Sequence, residues 1–322
     1  MTKCLGCGAI LQDSDSKEEG YTRDLNNKFC QRCFEITHYN KYISINKSNK
    51  EYIKKIKYIN KTNDLVILTI DLFNMLDLDS LEINNPVILA ITKKDIIPRS
   101  IHEEKILKNI ETKLNIVSKI FISSKKNYNL DELMNLINKY KVTKRVYVIG
   151  LTNAGKSSLI NKIIKNYSSE EANITVSNLP STTLDYIEKK VNEDLILIDT
   201  PGLLDDGNIM MKVDCKEIIP VKEINPIIYQ IKCRQSILIS DFFKLDVYDK
   251  NILIFYMSNK LKIERIYKEN NKLDNLKKYN IKVLNNQDLA IKGLGFIKIK
   301  NKCNIDLFLP EGVNFFIRNS II

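Results

Sequence analysis

The sequence reads Gly150-Leu151-Thr152-Asn153-Ala154-Gly155-Lys156-Ser157 directly after the apolar run 146–149. The spacing matches the pattern GxxxxGK[ST], in which a strand leads into a glycine-rich loop that opens a helix. Glycines let the backbone curve closely around a phosphate, so that N–H groups point inward. We therefore predict a phosphate loop in which Lys156 reaches the β and γ phosphates of a nucleotide and the Ser157 hydroxyl binds Mg²⁺.

Two segments after the loop are predicted to complete the phosphate site. Asp199 ends the apolar run 195–198 and begins Asp-Thr-Pro-Gly, so its carboxylate would hold Mg²⁺ through water, while the Gly202 N–H would contact the γ phosphate. Thr182 and Thr183 lie between these motifs, where a mobile loop should supply a threonine hydroxyl to Mg²⁺. Thr183 is favoured, although the sequence does not separate the two.

Two segments before the loop are typical of guanine recognition. Asp95 ends Thr92-Lys93-Lys94-Asp95, and its carboxylate can accept two hydrogen bonds from guanine that adenine cannot offer. Ser124 should donate a backbone N–H to the guanine carbonyl, with Lys125 packing over the base. Thr92 stands where Asn is usual, so we expect a looser tether to the phosphate loop. The residues predicted to bind the nucleotide are Gly150, Asn153, Ala154, Gly155, Lys156, Ser157, Ser158, Thr182, Thr183, Asp199, Gly202, Thr92, Lys93, Asp95, Ser123, Ser124 and Lys125.

The order of these motifs predicts the fold. Most small GTPases place the phosphate loop first and the base-reading segments last, whereas here the base-reading segments come first. The chain is therefore predicted to be a circularly permuted P-loop GTPase of the α/β class. Short apolar runs alternate with predicted helices, which favours a parallel sheet. The runs are 65–71, 87–91, 120–122, 146–149 and 195–198, and the predicted helices are 101–114, 130–140 and 157–166.

The two ends of the chain differ from its middle in composition and in the pattern of apolar residues. Residues 1–42 are polar and cysteine-bearing, residues 43–212 carry the GTPase motifs, and residues 213–322 alternate in short apolar segments. We predict an amino-terminal zinc finger, the permuted GTPase domain and a carboxy-terminal, mostly β domain. A lysine-rich stretch at 261–279 is predicted to be helical.

Hydrolysis of GTP needs a group that orients the attacking water. The position after Asp-Thr-Pro-Gly, where Ras-like enzymes carry glutamine, holds Leu203, which cannot hydrogen-bond water. Asn153 inside the loop suggests a bound K⁺ that stabilises developing charge on the phosphates. The alternative is that Asn153 only caps the loop. Lys156, Thr183 and Asn153 are the predicted catalytic residues, and turnover is expected to be slow and K⁺-stimulated.

Four of the seven cysteines form two CxxC pairs. Cys4 and Cys7 are separated from Cys30 and Cys33 by 22 residues, a spacing that favours a tetrahedral Zn²⁺ site over a disulfide framework. A redox motif and an iron–sulfur site are the weaker alternatives.

Lys and Arg exceed Asp and Glu by 11, and the pI is about 9.1. This surplus favours a polyanionic partner, although a general lysine bias of the genome is an alternative. No apolar run approaches the ~18 residues that span a bilayer, and Cys4 follows the start too closely for a signal peptide, so a cytoplasmic protein is expected.

The chain resembles the YqeH-type circularly permuted GTPases, bacterial factors for small ribosomal subunit assembly. The resemblance covers the CxGCG and CxRC pattern, the five nucleotide segments and three carboxy-terminal landmarks at 222–226, 293–296 and 310–313. It implies GTP or GDP, Mg²⁺ and Zn²⁺ as ligands, and the small subunit with its 16S rRNA as partners. Two departures stand out, Thr92 for Asn and Ser181 for Gly. The rival classes are a P-loop ATPase and a non-catalytic RNA-binding module with a structural nucleotide site.

Overall fold

The computed structural model describes residues 2, 4, 9–16, 20–31, 34, 55–74, 78, 81–151, 153–168, 177–178, 186–200, 202, 207–266, 273 and 275–322. The described residues fall into two compact units. The phosphate-loop unit lies within Met1–Ile70, Asp77–Thr92 and Lys113–Leu204. The carboxy-terminal unit lies within Asp71–Leu76, Lys93–Thr112 and Asp205–Ile322. The domain boundaries predicted after residues 42 and 212 stay predictions.

The phosphate-loop unit is built on one mixed sheet. Its described strands are β1 (Leu65–Ile70), β2 (Val87–Ile91), β3 (Ile116–Phe121), β4 (Arg145–Gly150), β5 (Ser177–Asn178), β6 (Ile187–Asn192) and β7 (Leu195–Asp199). Among the described residues these seven strands lie in the order β3-β2-β1-β4-β7-β6-β5.

The position of β4 reflects the permuted motif order. This strand precedes the phosphate loop, and it pairs in parallel with β1 on one side and with β7 on the other. All strands on the β1 side come earlier in the chain, and all strands on the β7 side come later. The loop therefore emerges at the middle of the sheet, between the strands that lead into the predicted base-reading motifs and the strand that ends at Asp199.

The core of this sheet follows from its apolar strands. Every residue of β1 and β2 is buried, as expected for parallel strands covered on both faces. One face packs against α2 (Leu130–Tyr140) and α3 (Lys156–Tyr167), whose buried side chains repeat at helical spacing. On the other face the Tyr147 ring meets Tyr186, and the Tyr186 hydroxyl donates to the Lys55 carbonyl.

The prediction of a parallel sheet holds for β3, β2, β1, β4 and β7. It is wrong at the edge, because β6 pairs antiparallel with β7 and β5 pairs antiparallel with β6. Strand β6 reads Ile-Glu-Lys-Lys-Val-Asn, in which the buried Ile187 and Val191 are separated by charged residues, so no apolar run predicted it.

The carboxy-terminal unit contains two antiparallel sheets. Its described strands are β8 (Ile227–Ile231), β9 (Gln235–Ile239), β10 (Phe243–Val247), β11 (Asn251–Met257), β12 (Ile263–Ile266), β13 (Lys277–Val283), β14 (Gln287–Ile291), β15 (Gly295–Ile299), β16 (Cys303–Leu309) and β17 (Phe315–Asn319). Within the described part of the chain, the sheets run β12-β9-β10-β16-β13 and β17-β14-β15-β11-β8.

These two sheets share one apolar core, so they pack face to face. The sheet edges are also joined: the Tyr229 hydroxyl on β8 donates to the Ile263 carbonyl on β12 at 3.1 Å. At the opposite edge the Tyr279 and Phe315 rings lie 5.0 Å apart. The prediction of a mostly β carboxy-terminal region is confirmed.

The helix predicted at 261–279 is wrong in the residues that are described. Residues 263–266 form β12, and β13 begins at Lys277. Strand β13 pairs with β16 over seven residues and places Tyr279, Ile281 and Val283 on one side. The period-2 pattern therefore overrides the high helix propensity of lysine.

The carboxy-terminal unit also includes a short helix, α1 (Glu103–Asn109), shorter than the predicted 101–114. Among the described residues no helix is long and apolar enough to cross a membrane.

Candidate nucleotide site

The phosphate loop has the strand–loop–helix form that its sequence predicts. Strand β4 ends at Gly150 and α3 begins at Lys156. Asn153 and Gly155 adopt left-handed backbone conformations, with φ of 65° and 87°. Glycine takes this conformation without strain, so Gly155 turns the chain into the helix N-terminus. The N-terminus of a helix offers backbone N–H groups and a positive dipole end to a phosphate.

Lys156 is buried inside the loop. Its Nζ donates to the Gly150 carbonyl at 3.0 Å and to the Leu151 carbonyl at 3.1 Å. Burial lowers the pKa of this amine to about 8, and the charge of Asp199 opposes the shift. The loop thus holds the Lys156 amine against its own backbone carbonyls.

Asp199 lies at the end of β7, in register with Val148 of β4. It is buried, and its Oδ1 has no hydrogen-bond partner among the described residues. Burial raises the pKa of this carboxyl, while Lys156, Lys189 and a hydrogen bond from Ser157 lower it. A buried carboxylate oxygen beside a serine hydroxyl is the donor set that Mg²⁺ prefers, so these residues fit that ion.

Thr92 follows β2 and reaches the phosphate loop. Its hydroxyl lies 2.8 Å from the Ala154 carbonyl and 3.1 Å from the Ile70 carbonyl. Because a hydroxyl carries a single proton, it can donate fully to only one of these acceptors at a time. Thr92 is therefore tethered to the phosphate loop even though it stands where Asn is usual. The hydrogen bond reaches Ala154, inside the loop.

The second segment that the sequence predicts to read the base forms a tight turn. Ser123 and Tyr128 exchange backbone hydrogen bonds of 3.0 and 3.2 Å, so Ser124 and Lys125 lie in the turn between them. The Ser123 hydroxyl accepts from the Lys126 N–H at 3.1 Å and closes the turn.

Asp95 lies in the carboxy-terminal unit, within a 3₁₀ helix spanning Lys94–Ile96. Lys93 precedes this helix in a left-handed conformation, and its Nζ forms an ion pair of 2.7 Å with Asp71. Sequence reasoning did not single out Asp71. The available signal was a carboxylate standing directly after an apolar run.

Half of the predicted zinc ligands are described. Cys4 and Cys30 are both buried, and the Cys30 backbone N–H donates to Cys4 Sγ at 3.1 Å. The structure thus brings together one cysteine from each CxxC pair. Cys7, Cys33, Thr182, Thr183 and Leu203 lie outside the described residues, whereas Gly202 is described and half-buried.

Three family models match the chain. The model described as 50S ribosome-binding GTPase matches residues 145–286, and the model described as RsgA GTPase matches residues 75–207. A third, YqeH-like, C-terminal, matches residues 267–321. The chain is also 29% identical over 361 residues to the Bacillus subtilis protein YqeH, covering 99% of each chain. Together these matches support a YqeH-type circularly permuted GTPase.

Other relatives match only part of the chain. The tRNA modification GTPase MnmE of Borreliella burgdorferi is 33% identical over 190 residues, covering 56% of this chain and 38% of its own. The NO-associated protein 1 of Arabidopsis thaliana is 27% identical over 243 residues, covering 62% of this chain and 43% of its own. The YqeH-type chain is a GTP hydrolase, and GTPases of these families use GTP, GDP and Mg²⁺.

Proposed function

We propose that this GTPase is a nucleotide-controlled switch that assists assembly of the small ribosomal subunit by binding its 16S rRNA. The hydrolytic half of the proposal rests on one observation, the convergence of Lys156, Ser157 and Asp199 at the ends of β4 and β7. The ribosomal half is supported by the family resemblance and by the positive net charge of 11.

The residues of the loop would act by rearranging around the phosphates. When a triphosphate binds, the Lys156 ammonium exchanges its two loop carbonyls for phosphate oxygens. A bound Mg²⁺ would supply neutralising charge to the β and γ phosphates. Ser157 and Asp199 would hold it, the first directly and the second through water.

Co-sedimentation with purified ribosomal subunits tests the switch. We expect the chain with a non-hydrolysable GTP analogue to bind 30S subunits more tightly than the GDP form. Lys156→Ala should remove the difference, because its phosphate contacts are lost. Equal binding of both nucleotide forms at every salt concentration would overturn the switch, and preferential binding to 50S subunits would overturn the choice of subunit.

The predicted catalytic role of Asn153 stays a proposal. Its left-handed backbone carries an exposed side chain at the loop rim, which leaves the amide oxygen accessible to a cation. A K⁺ held there would stabilise charge that develops between the β and γ phosphates. The cation would thus compensate for the missing glutamine, because Leu203 at that position cannot hydrogen-bond the attacking water.

We further propose that the amino-terminal cysteines hold structural Zn²⁺. A thiolate that accepts a backbone N–H, as Cys4 does from Cys30, is stabilised in the charged form that zinc requires. Cys7 and Cys33 would complete the tetrahedral set.

Zinc analysis of the purified chain should give about one ion per chain. Cys30→Ser should release it and lower the melting temperature. Cys233→Ser is the matched control, because Cys233 is exposed and belongs to no CxxC pair. Full zinc content in the Cys30→Ser variant would contradict the assignment.

A further inference from the structure

Two segments that come directly after β1 and β2 belong structurally to the carboxy-terminal unit. They contain Asp71–Leu76 and Lys93–Thr112, and the second includes the base-reading Asp95. The turn that carries Asp95 is fixed at both ends. Each end contacts residues that none of the nucleotide motifs includes.

At its first end the turn is held by Asp71. The Asp71 side chain is buried, and its Oδ2 lies 2.7 Å from Lys93 Nζ. Lys93 is the residue that enters the 3₁₀ helix, in a left-handed conformation with φ of 57°. Such a backbone is uncommon in residues with a side chain and persists only where surroundings enforce it. The ion pair holds the side chain of this residue against Asp71.

Asp71 is itself fixed by the residues that come after it in the chain. Its Oδ1 accepts the Phe73 N–H at 3.0 Å. The Phe73 ring stacks on Phe296 of β15 at 6.1 Å with an angle of 18°, and Phe296 stacks on Tyr256 of β11 at 4.8 Å. The carboxylate that holds Lys93 is thus anchored on the carboxy-terminal sheet. Phe296 closes the landmark Gly-Leu-Gly-Phe at 293–296.

At its other end the turn is held by a second landmark. Ile224, at the centre of Lys-Glu-Ile-Asn-Pro, donates its backbone N–H to the Ile96 carbonyl at 3.0 Å. Ile224 is 1% exposed, so this bond is protected from water. Glu223 adds contacts to Arg99, where it accepts the backbone N–H at 3.0 Å.

We propose that the carboxy-terminal unit sets the geometry of guanine recognition, with Asp71 as the positioning residue for the turn Lys93–Ile97. The inference rests on the proposed role of Asp95 as the guanine-reading carboxylate. Two landmarks of the β-rich region thereby acquire a role, since Ile224 and Phe296 fix the two ends of the base-reading turn.

The test compares binding of GDP with binding of IDP, which lacks the N2 amine that Asp95 is proposed to bind. The full chain should prefer GDP, and Asp71→Asn should lower the ratio of the two affinities several-fold. The KM for GTP should rise while kcat at saturation stays close to the original value. Asp71→Glu, which keeps the charge, should restore part of the preference.

Asp64→Asn is the matched control. Asp64 and Asp71 flank the same strand β1, are each 5% exposed, and each accept hydrogen bonds. Only Asp71 contacts the base-reading turn, so the control should keep the original GDP preference. If Asp71→Asn does not fold, Phe73→Leu provides the second variant, with a smaller loss of preference expected.

The outcomes separate the inference from its premise. An unchanged GDP preference in Asp95→Asn would overturn the guanine assignment and the inference with it. A lost preference in Asp95→Asn, together with an unchanged one in Asp71→Asn and Phe73→Leu, would overturn only the positioning role. An equal loss of GDP and IDP affinity in Asp71→Asn would also overturn it.

Discussion

Thr92 holds the phosphate loop through one hydroxyl, so removal of this hydroxyl should lower the affinity for nucleotide. Thr92→Val keeps the shape but leaves the buried Ala154 carbonyl without its donor at 2.8 Å. Such a loss costs about 1–2 kcal/mol, or roughly tenfold in GTP affinity. Thr92→Ser should retain most of the affinity, measured by titration calorimetry. A Val variant that binds as tightly as the original would show that the tether is dispensable.

Lys156 should couple GTP binding to proton uptake. Its pKa is lowered to about 8 by burial, so above that pH the amine is largely neutral before nucleotide binds. Phosphate oxygens favour the ammonium and raise its pKa, so affinity should fall as pH rises above about 8. Calorimetry at about half a pH unit above 8, in buffers of different ionisation enthalpy, measures the number of protons taken up on GTP binding. Lys156→Arg should abolish it because guanidinium stays charged, and persistence in that variant would assign the proton elsewhere.

The placement of the candidate site residues was predictable from sequence where a local motif encodes it. Lys156 and Ser157 follow from eight consecutive residues, and Asp199 follows from a strand and the turn after it. The position of Asp71 after an apolar run was visible in the sequence, but its contacts were not, because they involve Lys93, 22 positions later, and a ring stack of Phe73 with Phe296. Such contacts are fixed by tertiary packing rather than by spacing in the sequence.

At the scale of elements, Gly150 begins the phosphate loop and also packs closely against Thr69 of the neighbouring strand β1. A Cβ at this position would collide with the Thr69 carbonyl and hydroxyl. Gly150→Ala should therefore destabilise the fold by about 1–3 kcal/mol. Urea unfolding measures the change. Adding Thr69→Ala should not rescue it, because the backbone carbonyl remains. A fully stable Gly150→Ala chain would contradict this packing.

Strands with apolar runs were easier to predict than strands with lysines. Strands β1, β2, β4 and β7 are buried and lie where the apolar runs predict them. Strand β13 reads Lys-Lys-Tyr-Asn-Ile-Lys-Val, and its lysines favoured a helix in the sequence. Pairing with β16 decided the outcome, because it buries Val283 in the shared core and packs the partly buried Ile281 against it.

For the whole molecule, the motif order changes the destination of the chain after the phosphate-sensing segment. The chain leaves β7 at Asp199 and continues into the carboxy-terminal unit, whereas an unpermuted chain would return to the base-reading strands. A short stretch of sequence thus connects Asp199, at the end of β7, to the β-rich region. A change of nucleotide at the phosphate loop could reach that region through this connection. This connection is the structural reason to propose a switch rather than a static nucleotide site.

GTP hydrolysis by the purified chain, in KCl and in NaCl at matched ionic strength, tests most directly whether this loop works with a bound cation. Asn153→Ser serves as the variant, because serine lacks the amide oxygen proposed to hold K⁺. We predict strong stimulation by K⁺ in the original chain and its loss in the variant. Equal turnover in both salts, or full K⁺ stimulation of Asn153→Ser, would contradict the proposed role of Asn153.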